Sequence, residues 1–135
     1  MSDKGIGDKL EKWWVKKLSA AEGSRARQTV ASGAIFGDED VNSDIHVSQC
    51  KATSLPAKTL SINMKEFDSV LDKARSEWRR DGRGMKVGIL VQQRVDGQVI
   101  VSLDADDYLD LIKELSDYKR AIDDITNTMT EKGEY

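Results

Sequence analysis

Apolar residues recur along the chain with two different periods. Leu10, Trp13, Trp14, Leu18 and Ala21 fall three or four residues apart. That spacing predicts a helix over 8–21, ended by Gly23. Phe67, Val70, Leu71, Ala74 and Trp78 repeat the pattern and predict a second helix closed by Asp81-Gly82. A third helix is expected over 104–129. Between the last two, the VGILV run within Met85 to Val95 is apolar on both sides, as a central strand covered on both faces requires. A partner strand follows over Gln98 to Leu103. Asp96-Gly97 between them signals a hairpin turn whose two central positions both want positive φ.

Earlier in the chain, a basic loop (Gly23 to Gln28) leads into TVASGAIF, a short run with a glycine kink. Residues 37–53, GDEDVNSDIHVSQCKAT, read as a hairpin. A loop with the only proline, Pro56, then passes through Leu60-Ser61-Ile62, a candidate further strand, into the second helix. The order αββ-loop-αββα predicts a small three-layer α/β fold with a mixed sheet.

A length of 135 residues suits one domain with a real core. Hydrophobic residues make up 39% and charged residues 33%, a soluble globular balance. No apolar run approaches the ~20 residues of a membrane span. The stretch MSDKGIGDKLEKWW carries acids and no apolar core, so no secretory leader is expected and a cytoplasmic setting is. One cysteine precludes an internal disulfide, and with one histidine it cannot build a zinc site of thiolates and imidazoles. The net charge of −3 hides an asymmetry. Residues 1–86 hold 16 Lys and Arg against 13 Asp and Glu, a net of +3; residues 87–135 hold 5 against 11, a net of −6. Four of the earlier acids crowd into 38–44. Basic ground around an acidic pocket suits a metal-dependent nuclease, though mixed charge on solvated helix faces gives the same count.

The hairpin carries the chemistry. Along Ile45-His46-Val47-Ser48-Gln49-Cys50-Lys51, alternation puts Gln49 and Lys51 on one face and His46, Ser48 and Cys50 on the other. A two-residue turn at Ser43-Asp44 would pair Asn42 with Ile45 and Asp40 with Val47. Asp40 then joins the face of Gln49, one diagonal step away. Asp44 falls in the turn and is the alternative to Asp40. Glu11 lies at the edge of the first helix's apolar stripe, turned toward the protein body, where it needs a partner. Alternatively, Asp8-x-x-Glu11 is a capping box at the helix start. Two hard-oxygen ligands beside a lysine suit Mg²⁺-assisted phosphodiester hydrolysis.

The acid in the first helix, SGA, a Gly/Asp-rich turn, D-x(8)-(E/Q)-x-K, a threonine and a helix after LSI together resemble the PD-(D/E)xK nuclease superfamily. Within it the chain is similar to small phage and archaeal-type Holliday junction resolvases, over about Gly7 to Leu115. The resemblance implies a restriction-endonuclease-like fold, with a central mixed sheet flanked by helices and a long C-terminal helix. It implies Mg²⁺ or Mn²⁺ as cofactor and hydrolysis of branched or duplex DNA, in the host cytoplasm if phage-encoded. Glu11, Asp40, Gln49 and Lys51 would be the catalytic set, with Asp40, Gln49 and Glu11 on the metal. Arg25, Arg27, Ser32 and Lys58 would contact DNA. The chain departs from the pattern twice. Glu39 stands where glycine commonly precedes the aspartate, which leaves Asp38, Asp40 and Asp44 open as ligands. Gln49 replaces the usual glutamate and weakens the pull on a cation.

The remaining signals have plainer readings. His46 is expected as a packed or surface histidine, Cys50 as a buried small hydrophobe, and Trp13, Trp14 and Trp78 as core packing. Arg79-Arg80-x-x-Arg83 is either a DNA patch or a helix end whose cations suit the dipole. In the last helix, Leu111, Leu115, Tyr118, Ile122, Ile125 and Met129 alternate spacings of four and three. That coiled-coil-like seam predicts a homodimer through a tail over residues 118–135.

Overall fold

A computed structural model describes residues 3–29, 40–53 and 59–131. The chain forms two compact units, Met1–Leu103 and Asp104–Tyr135. The first contains helix α1 (Asp3–Glu22), strands β1 (Arg27–Thr29), β2 (Asp40–Asn42) and β3 (His46–Ala52), helix α2 (Met64–Arg75), and strands β4 (Val87–Gln93) and β5 (Val99–Leu103). The second holds one helix, α3 (Ala105–Glu131).

The five strands lie in sequence order. β1–β2, β2–β3 and β4–β5 are antiparallel, whereas β3 and β4 run parallel. The parallel pair needs a crossover, and α2 supplies it. The expected α/β class with a mixed sheet and a long last helix is what the structure has.

Each face of the sheet is identified by its helix. Val47 packs with Val70 and Ala74 of α2. The next residue, Ser48, accepts a hydrogen bond from Trp14 Nε1 of α1 at 2.9 Å. Adjacent strand residues point oppositely, so α1 and α2 cover opposite faces. Gly88 marks the closest approach of α2: a Cβ there would lie 2.7 Å from the Val70 carbonyl oxygen. β4 is buried over six of its seven residues, as its apolar run predicts.

Several local expectations give way to the structure. α1 begins at Asp3, so Asp8 is inside the helix, where it pairs with Lys12 at 2.9 Å; the capping-box reading of Glu11 therefore fails. The supposed basic loop contains β1, which includes Arg27 and Gln28. α2 stops at Arg75, where Ser76 donates its backbone N–H to helix carbonyls. Trp78 instead bridges Met85 and is 66% exposed, while Trp13 is 43% exposed; of the three tryptophans, these two are not core. Arg79, Arg80 and Arg83 follow the helix and are not its last turn, so the dipole reading does not apply. Residues 59–63 form no strand.

At Asp96-Gly97 only the glycine has positive φ, +94°. Arg94 N–H donates to Gln98 O, and Gly97 N–H donates to Arg94 O. The loop is thus a three-residue hairpin with a left-handed glycine.

Candidate functional site

The β2–β3 turn falls one residue later than the sequence suggests: Ser43 N–H donates to His46 O at 3.0 Å and encloses Asp44 and Ile45. Asn42 pairs with Val47 and Asp40 with Gln49, where the sequence suggests Asn42 with Ile45 and Asp40 with Val47. The register has moved by two residues, an even step that leaves each strand's faces unchanged. A carboxylate from α1 braces this turn. Glu22 accepts from Ser43 Oγ at 2.6 Å, from Ile45 N–H at 3.0 Å, and sits 3.0 Å from His46 Nδ1. Burial pushes the Glu22 carboxyl up; the bonds from His46, Ser43 and Ile45 outweigh it and hold the group below its ordinary value. His46 is accordingly part of a structural clasp on the α1 side. Cys50 is buried, as expected of a small hydrophobe.

Gln49 and Lys51 occupy the opposite side, toward α2. Gln49 is 6% exposed. Lys51 Nζ lies 3.1 Å from Glu66 Oε1 in the first turn of α2. Asp40 is in register with Gln49, and its side chain lies outside the described part of the structure. Asp38, Glu39, Ser32 and Lys58 also lie outside the described residues. Asp44 sits in the loop before β3, 3.8 Å from Arg80 Nη1 and away from Gln49 along the strand.

Glu11 is 4% exposed and accepts from Gln28 Nε2 at 2.9 Å, a group that also reaches Asp8 at 3.2 Å. Gln28 pairs with Val41, and Val41 with Ser48, which places Glu11 on the α1 side. Alternation puts Gln49 and Lys51 on one face, where Lys51 meets Glu66, whereas Glu11 meets Gln28 on the other, the face of Ser48. Among the described residues, no set of three or more His, Cys, Asp and Glu side chains could hold a metal ion.

A hollow of about 310 Å³ adjoins Lys51 at the carboxyl ends of the parallel pair β3 and β4, lined also by Thr53, Ser61 and Gln92. Open α/β sheets bind ligands beyond the carboxyl ends of their strands. Gln92 donates Nε2–H to Ser61 O at 2.8 Å. At the other end of β3 lies a second, polar hollow of about 550 Å³ containing Arg25 and Arg27.

Sequence reasoning missed Glu66 and Gln28. Asn63-x-x-Glu66 is a helix-start signature, and Asn63 Oδ1 does accept the Glu66 N–H at 3.2 Å. That signature fixes the backbone position of Glu66 but not the reach of its side chain to Lys51. Gln28 carries no comparable signal. Comparison with protein-family models, curated proteins and solved structures finds no match to this chain.

Proposed function

We propose that the chain is a metal-dependent endonuclease of the PD-(D/E)xK type with a restriction-endonuclease-like fold, cutting branched DNA, with the Holliday junction as leading substrate. The observation that carries the reading is the β2–β3 register: Asp40 stands opposite Gln49, and Lys51 follows two residues on, beside the parallel strand β4. Directly opposed residues share a face, so position 40 belongs to the face of Gln49 and Lys51.

Mg²⁺ or Mn²⁺ fits this donor set, since Mg²⁺ takes one or two carboxylates with water and substrate phosphate completing the shell. Asp40 and Gln49 would hold the ion, which when bound polarises the phosphate and acidifies a water. Lys51 supplies positive charge for the crowded phosphorus centre, and Glu66 orients that ammonium. Glu11, on the α1 side, stands outside this set, so Glu11→Gln retains cutting.

The exposed seam of α3 serves as the contact with a second copy. Leu115, Ile122 and Ile125 are each more than 60% exposed. In a parallel pair the heptad places Glu114 of one helix against Lys119 of the other, a favourable e/g match. No helix among the described residues is long and apolar enough to cross a membrane.

Incubating the protein with a labelled four-way junction and Mg²⁺ or Mn²⁺ tests the activity. Paired symmetric nicks are expected. Cuts on unbranched DNA point to the same chemistry on another substrate. A shifted but intact junction favours a DNA-binding module without cleavage, which the neutral Gln49 and the engagement of Lys51 by Glu66 would explain.

A further inference from the structure

We infer that the 550 Å³ hollow at the amino-terminal end of β3 is a docking site for backbone phosphates of DNA, set at a fixed distance from Lys51. Four cations line it, Arg25, Arg27, Arg80 and Lys86, against one acid, Asp44. Three segments far apart in sequence build it: the α1–β1 connection, the β2–β3 hairpin and the loop after α2.

Its cations differ in how they are held. Lys86 Nζ donates to Asn42 Oδ1 at 2.7 Å and lies 3.3 Å from Glu77, which offsets much of its charge. Burial pushes the Glu77 carboxyl up, but the bonds from Asn42 and Lys86 hold it below its ordinary value. Arg80 is 82% exposed at its side chain and only loosely paired with Asp44, at 3.8 Å. Arg25 and Arg27 are exposed and make no ion pair among the described residues. A concave surface with exposed guanidinium groups around an anchored ammonium suits phosphate oxygens, which arginine binds through paired N–H groups.

The register gives its place relative to the proposed centre. Arg27 pairs with Asn42, and Asn42 with Val47, on the face that Val47 shares with Lys51. Lys51 is four residues beyond Val47, about 13 Å at ~3.3 Å per residue. That span equals roughly four base-pair rises of a duplex. A phosphate seated in the hollow would thus set which phosphodiester meets Lys51. The inference deepens the nuclease reading and rests on it only for the identity of the polymer.

Anisotropy titration of a labelled DNA duplex and a four-way junction, in EDTA across a salt series, tests the site without cleavage. For Arg25→Ala/Arg27→Ala and for Arg80→Ala, the slope of log affinity against log salt should shallow by about 0.7–0.9 for each phosphate no longer neutralised. Affinity should fall about tenfold in the double variant, equally on unrelated sequences. Lys16→Ala, an exposed α1 cation outside the hollow, should leave the slope unchanged. Circular dichroism confirms that each variant is folded, and Arg→Lys replacements should recover part of the slope. An unchanged slope in the hollow variants, or an equal drop in Lys16→Ala, overturns the inference. So does a wild-type protein that binds neither DNA. Binding that behaves as described without any cleavage in Mg²⁺ leaves the hollow standing and removes only the nuclease.

Discussion

Replacing Glu22 by alanine removes the side chain that ties the end of α1 to the β2–β3 hairpin. The carboxylate accepts from Ser43 Oγ, the Ile45 N–H and the His46 ring, at 2.6, 3.0 and 3.0 Å. A hydrogen bond to a charged group contributes about 1.5–3 kcal/mol, and such bonds in one network do not add fully. Ser43 Oγ keeps an alternative acceptor in His46 O, whereas the Ile45 N–H loses the partner described for it. A loss of about 3 kcal/mol at pH 7 is therefore expected, and about half of that for Glu22→Gln. The effect has a pH signature. Because the folded-state pKa is lowered from 4.5, the carboxylate's contribution is complete above the unfolded value and disappears as pH falls through the folded one. Urea unfolding of wild type and Glu22→Ala, from neutral pH downward, should show a constant gap that closes below about pH 4.5. A gap under about 0.5 kcal/mol at pH 7, or one that persists unchanged into acid, would refute the clasp.

Gly88→Ala should cost about 2 kcal/mol or more, because the new methyl group meets the Val70 carbonyl oxygen at 2.7 Å; thermal unfolding reads this as a fall in Tm of several degrees. Deleting residues 118–135 should convert a dimer to a monomer in light scattering, and an unchanged dimer would remove α3 as the contact. Glu66→Gln should leave DNA binding in place but slow cutting about tenfold, through a less firmly oriented Lys51; an unaltered rate would make the ion pair incidental.

The long periodic elements were legible because their own side chains specify them. Val70, Leu71 and Ala74 lie buried on the expected face of α2, and VGILV forms the interior strand β4, flanked by β3 and β5. The failures come where distant groups decide. Trp78 keeps the helical spacing of Phe67 and Ala74, yet Ser76 ends the helix first. Gly5 and Gly7 look like breakers, but α1 passes through both. β1 is a three-residue polar edge strand with no alternation to read. The hairpin turn is braced by Glu22, more than twenty residues away from Ser43 in sequence, a contact that local turn chemistry cannot report. The pairing of Gln49 and Lys51 on one face followed from alternation alone. Which helix faces them did not, because that depends on the sense of the β3–α2–β4 crossover.

The most direct measurement is metal-dependent cutting of a labelled four-way junction by wild type, Lys51→Ala and Asp40→Asn at matched DNA occupancy. Paired nicks are expected from wild type in Mg²⁺ or Mn²⁺, and bound but uncut junction from both variants. Cutting that survives in Lys51→Ala, or a wild type that binds and never cuts with either ion, would contradict the nuclease reading.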